Sequence, residues 1–72
     1  MNTQEFKGTV KKYRSLRGGM TQEELRKRTK VGGSATFVKY LNHPELMPIG
    51  VMEDIFRALG VPAEDRRKCL EI

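Results

Sequence analysis

Residues able to do covalent chemistry are few and scattered in this 72-residue chain. His43 is its only histidine and Cys69 its only cysteine, 26 positions apart. A metal centre needs three or four suitable ligands, and a nucleophile needs a base beside it. No enzyme, metal or cofactor is therefore expected. His43, next to Pro44, reads as a loop residue or a phosphate contact, and Cys69 as a small packing residue or part of an interface. What the chain has in quantity is cationic hydrogen-bond donors. It carries 14 Lys/Arg against 9 Asp/Glu, for a net charge of +5 and a pI near 9.7.

Their distribution is uneven. Residues 1–43 hold ten Lys/Arg and three acids, a balance of +7, whereas residues 44–72 hold four and six, a balance of −2. A basic half joined to a mildly acidic one suits a domain whose one face meets a polyanion. A solvated, lysine-rich surface gives the same count. The run Arg26-Lys27-Arg28-Thr29-Lys30 is open to the same two readings, a DNA-backbone patch or a solvated helix face. A lone cysteine cannot close an internal disulfide, and no stretch approaches the roughly 18 consecutive apolar residues of a membrane span. With no signal-like apolar region at the N-terminus, a soluble cytoplasmic protein without a membrane partner is expected.

These donors must be positioned by short helices, all in one domain covering 1–72. The first, residues 3–17, carries the stripe Phe6, Val10, Tyr13 and Leu16, with Thr3 as its cap and Gly18-Gly19 as its stop. Lys7, Lys11, Lys12 and Arg14 read as its solvated face, and Arg17, nearest the next helix, as a phosphate contact. Thr21 and Glu24 form a capping box and Met20 and Leu25 a hydrophobic staple, which start a second helix at Gln22 that ends at Arg28 or Thr29. Val31 dips into the core and Gly32-Gly33 turns the chain into a third helix, 34–42, capped by Ser34 or Gly33. Phe37, Tyr40 and Leu41 fix that helix to the domain, leaving small side chains at its start to approach another molecule. A proline-bounded loop, His43 to Pro48, leads to a fourth helix, Ile49 to Leu59, with the stripe Met52, Ile55, Phe56 and Leu59 and Gly60 as its cap. Pro62 opens the fifth helix at its first position. Met20, Met47 and Met52 read as core filler. The prediction is an all-α domain of five short helices, with a helix-turn-helix over about 21–42 whose second helix can enter a DNA major groove.

With these pieces in place, the chain resembles the Cro/CI repressor-like (XRE) helix-turn-helix family over roughly residues 4–62. The likeness rests on Met20-Thr21-Gln22-Glu23-Glu24-Leu25, Val31, Phe37-Val38-Lys39-Tyr40-Leu41-Asn42 and Ala58-Leu59-Gly60-Val61. It implies a lambda-repressor-like fold and, of the kind phages and mobile elements encode, a transcription regulator binding double-stranded DNA. Thr21 and Gln22 would then bind the DNA backbone at a helix N-terminus. Ser34, Ala35, Val38 and Lys39, with Thr36 beside them, would face the bases, and Asn42 and His43 the opposite phosphate run. Lys30 joins the phosphate contacts through the basic run. The chain departs from the family pattern at Arg26, where Ala is usual, and at Lys30, where the turn usually has Gly. Its turn is also one residue longer. The extra glycine is expected to supply the left-handed angle that Lys30 cannot, and Arg26 to snorkel outward or open the helix crossing. A long polar side chain is missing at the first reading position. Ser34 and Ala35 can touch a thymine methyl or a single acceptor but cannot make a bidentate contact.

Two functions follow from different classes. One is a small DNA-binding repressor acting as a homodimer, held mainly by phosphate contacts. The other is an antirepressor or modulator that pairs with another repressor protein through the same surface. Cys69, Leu70 and Ile72 on the last helix are the candidate dimer element, or they pack on the first helix of their own chain.

Overall fold

A computed structural model describes residues 2–70. It is all-helical: α1 Thr3–Leu16, α2 Gln22–Lys27, α3 Ser34–Asn42, α4 Ile49–Leu59 and α5 Ala63–Leu70, with a 3-10 turn at Pro44–Leu46 and no strand among the described residues. No helix is long and apolar enough to cross a membrane.

Phe6 of α1, Leu25 of α2, Phe37 of α3 and Ile55 and Leu59 of α4 are completely or almost completely buried and meet in one core. Phe6 and Phe56 pack edge to face, ring centroids 6.2 Å apart. Such pairs add about 0.5–1.5 kcal/mol beyond their buried area. Met20, Met47 and Met52 are buried among them, as is Val31. α2, α3 and α5 each bury a single side chain in the domain, Leu25, Phe37 and Cys69, whereas α1 buries three and α4 five. Their stability comes from packing rather than from length.

Several local expectations need correction. Asn2, not Thr3, caps α1: its side chain accepts the Glu5 amide at 3.1 Å. Leu16 is 67% exposed because α1 ends there, and the buried stripe runs through Thr9 instead. Pro62 precedes α5 rather than opening it, and its carbonyl accepts the Arg66 amide. The segment after His43 is not an open loop. Pro44 is buried and starts the 3-10 turn, a geometry its fixed φ favours. Gly60 caps α4 in the left-handed conformation, φ +67°.

α5 lies on α1. Cys69 is buried there with its thiol on the Thr9 hydroxyl at 3.4 Å, and the Tyr13 hydroxyl donates to the Asp65 carboxylate. Burial is the main reason the Cys69 thiol is pushed above its ordinary pKa. The hydrogen bond to Asp65 does the same to the Tyr13 phenol. Leu70, 53% exposed, lines an apolar groove with Ile49, Met52 and Phe56. Of the expected dimer residues, Cys69 therefore serves α1, Leu70 faces outward, and Ile72 lies outside the described residues.

Candidate functional site

The α2–turn–α3 segment is built from its caps inward. Thr21 caps α2, its Oγ1 accepting the Glu24 amide at 3.1 Å. The return bond of a full capping box, from the Thr21 amide to the Glu24 side chain, is not made among the described residues. Glu23 and Glu24 in the first turn suit the positive end of the helix dipole. Leu25 is the one fully buried side chain of α2, and Met20 ahead of the cap is buried with it, as the staple requires.

The turn is held by a cluster that the chain pattern did not announce. Arg26 neither snorkels into water nor is displaced, and its side chain is only 16% exposed. Its Nε donates to Glu23 Oε1 at 2.8 Å and its Nη2 to the same oxygen, while Nη1 donates to the Val31 carbonyl at 3.0 Å. The second carboxylate oxygen of Glu23 accepts the Ser34 hydroxyl at 2.8 Å. One arginine and one glutamate thus tie α2 both to the turn and to the first residue of α3. The Arg26 and Ser34 hydrogen bonds hold the Glu23 carboxyl down at about 2, against an ordinary value of 4.5. The same pairing raises the Arg26 guanidinium. Thr29 closes the inner side of the turn, donating to the Arg26 carbonyl at 2.7 Å and accepting the Val31 amide at 3.2 Å.

With these side-chain bonds the turn needs no left-handed residue. Gly32 and Gly33 do not take the angle expected of them. The only positive φ values among the described residues are at Gly18, Gly19 and Gly60. Gly33 caps α3 in an extended conformation, φ −122°, without a side-chain bond.

On α3, Phe37 is buried and Tyr40 and Leu41 pack partly against the core. At 3.6 residues per turn this aims Ala35, Val38, Lys39 and Asn42 outward. Ser34, Ala35, Thr36, Val38, Lys39 and Asn42 are all exposed. The expected base-reading set therefore forms one accessible, mostly small-residue face. Its Ser34 hydroxyl proton, however, already serves Glu23.

Beside this face runs a groove of about 260 Å³, where Gln22 of α2 and Asn42 of α3 meet Lys7, Lys11 and Arg14 of α1. Phe6, Val10 and Leu41 also line it, and no acidic residue does. Arg14 Nε is engaged by the Met20 carbonyl at 2.8 Å, leaving Lys7 and Lys11, both exposed, as the accessible cations. Sequence reasoning placed these two lysines on a solvated face. The signal that marks them is the spacing of 7, 11 and 14, one helix face that passes the N-terminus of α2.

Of the six expected phosphate contacts, Gln22 and Asn42 share this groove; Thr21, exposed beside Gln22, does not line it and its Oγ1 caps α2, and Arg17, Lys30 and His43 lie elsewhere. Arg17 Nε donates to the Leu59 carbonyl at 3.0 Å and its guanidinium lies over Gly60, at the C-terminal end of α4. The Lys30 ammonium lies at the start of α4, 3.3 Å from where a Cβ on Gly50 would sit. His43 is exposed with its Nδ1 3.4 Å from the Glu45 carboxylate, a neighbour that opposes an incoming phosphate. Among the described residues no group of three or more His, Cys, Asp or Glu could hold a metal ion.

Compared with known protein families, curated proteins and solved structures, the chain matches none of them.

Proposed function

We propose that this protein is a small DNA-binding transcription regulator with a lambda-repressor-like helix-turn-helix fold, laying α3 in the major groove of double-stranded DNA. The observation that carries the reading is the groove where Gln22 and Asn42 meet Lys7 and Lys11 beside an exposed α3 face, with no acidic residue lining it. A phosphate run entering this groove receives cationic and amide donors together with the N-terminal amides of α2. Ala35, Val38 and Lys39 then reach the base edges. The small side chains permit close approach, and most of the affinity comes from phosphate.

Two copies would double that interface, since a single module offers a small one. The apolar groove of Ile49, Met52, Phe56 and Leu70 is the surface for such a homodimer.

The test is titration of a labelled random-sequence duplex at low salt with wild type, Gln22→Ala and Lys39→Ala. Binding with a dissociation constant on the order of 10⁻⁶–10⁻⁴ M, weakened by both substitutions, supports the reading. No binding by the wild type rejects it.

A second reading is favoured by the exposure of Val38 amid Ala35 and Thr36. The face would then cover the DNA-reading surface of another repressor, as an antirepressor does. Failure to bind DNA together with release of a repressor from its operator would select it.

A further inference from the structure

Val38 is the one large apolar side chain that α3 leaves exposed, at 41%. It does not belong to the core that Phe37, Tyr40 and Leu41 reach. A β-branched residue is also a poorer helix former than the Lys, Gln or Ala that suits a solvated position, and Val38 adds nothing to the core in return. Ala35, three residues earlier, is exposed on the same face. Their side chains present methyl groups and neither donor nor acceptor. Val38 stands one turn beyond the free amides at the start of α3, so at its level the backbone is bonded within the helix and only side chains can meet a base. This face continues through Asn42 into the groove of Lys7 and Lys11, which no acidic residue lines, so its occupant is a polyanion.

Within the DNA-binding role proposed above, on which this rests, we infer that Val38, with Ala35, reads the C5 methyl group of a pyrimidine. The domain then prefers thymine or 5-methylcytosine to cytosine, and methylation of a cytosine facing Val38 strengthens binding. In the major groove that methyl is the apolar feature of the base edges, and the others are acceptors and amines. An amine or carbonyl pressed onto Val38 loses its water and receives no hydrogen bond in exchange, whereas a methyl loses nothing polar. Thymine and 5-methylcytosine carry the same methyl at the same place. They differ in the neighbouring group, an oxygen or an amine, and a valine cannot bond to either.

The measurement is selection from a random-sequence duplex library, followed by affinities for the selected site with thymine, uracil, cytosine and 5-methylcytosine placed in turn at each pyrimidine, the opposite base matched. At a position facing Val38, wild type should lose about fourfold when thymine becomes uracil and gain about fourfold when cytosine becomes 5-methylcytosine, the worth of one buried methyl. Val38→Ala should bring both ratios below about twofold. Each ratio is taken within one protein, so a general change in the affinity or stability of the variant cancels. A library that returns no preferred site, or equal affinity with and without the methyl at every selected pyrimidine, overturns the inference and leaves the DNA-binding role standing. A methyl effect undiminished in Val38→Ala also overturns it, because the effect would then come from the shape of the DNA. No DNA binding by the wild type removes both.

Discussion

Arg26 holds the carbonyl of Val31 through Nη1 at 3.0 Å, tying the end of α2 to the middle of the turn that leads to α3. The same guanidinium grips Glu23, so one side chain carries the geometry that a glycine in a shorter turn would otherwise set. Arg26→Met keeps the aliphatic stem and removes all three bonds. It should lower the thermal midpoint and speed exchange of the bonded amides in the turn and at the start of α3, Val31 and Phe37. Arg26→Lys should not rescue it, because a single ammonium lacks the fork that reaches both partners. Hydrogen exchange read residue by residue checks this, and unchanged protection at the Val31 and Phe37 amides, which are hydrogen-bonded to Thr29 Oγ1 and the Gly33 carbonyl, would contradict it.

The α2 anchor is separable from its cap. Leu25→Ala empties a fully buried position and should cost about 2–5 kcal/mol, enough to unfold much of so small a domain. Thr21→Ala loses one capping bond and should cost about 1 kcal/mol, or ~4–8 °C in midpoint. Thermal melts followed by circular dichroism give both numbers, and equal effects would contradict the division.

Five helices were legible in the chain because apolar spacing and caps agreed: Phe37, Tyr40 and Leu41 placed α3, and Gly60 ended α4. The turn was not. Arg26 in place of a small residue predicts a clash or an outward swing only if its partners are unknown, and Val31 O and Glu23 become partners once the chain has folded. Lys7 and Lys11 were hidden for a related reason. A lysine on an α1 face reads as solvated until α2 and α3 bring Gln22 and Asn42 beside it. Arg17 is the converse, a cation that tertiary packing draws to the Leu59 carbonyl.

Acid should loosen the same turn. The Glu23 carboxyl is lowered from 4.5 to about 2 by its hydrogen bonds to Arg26 and Ser34. A depressed folded value means that its contribution is complete above the unfolded value of 4.5 and is lost as pH falls from there to about 2. Wild type should therefore be more stable than Glu23→Gln near neutral pH, with the difference closing as pH approaches 2. Urea midpoints for the two proteins across this range measure it. A difference that does not depend on pH would contradict the assignment.

Cys69 should be slow to react. It is buried against Thr9, and burial raises its thiol pKa, so little thiolate is present at neutral pH. A thiol reagent should label the folded protein far more slowly than the protein in denaturant. Comparable rates would show that α5 opens readily from α1.

The salt dependence of DNA affinity tests the central claim most directly. Lys7 and Lys11 sit in the groove with Gln22 and Asn42, and each lysine on a phosphate adds about one unit to the slope of log affinity against log salt. The Lys7→Ala/Lys11→Ala double variant should keep its thermal midpoint, bind random-sequence duplex more weakly and show a slope reduced by about 2. A folded double variant with the wild-type slope would place the DNA, if it binds, on some other face.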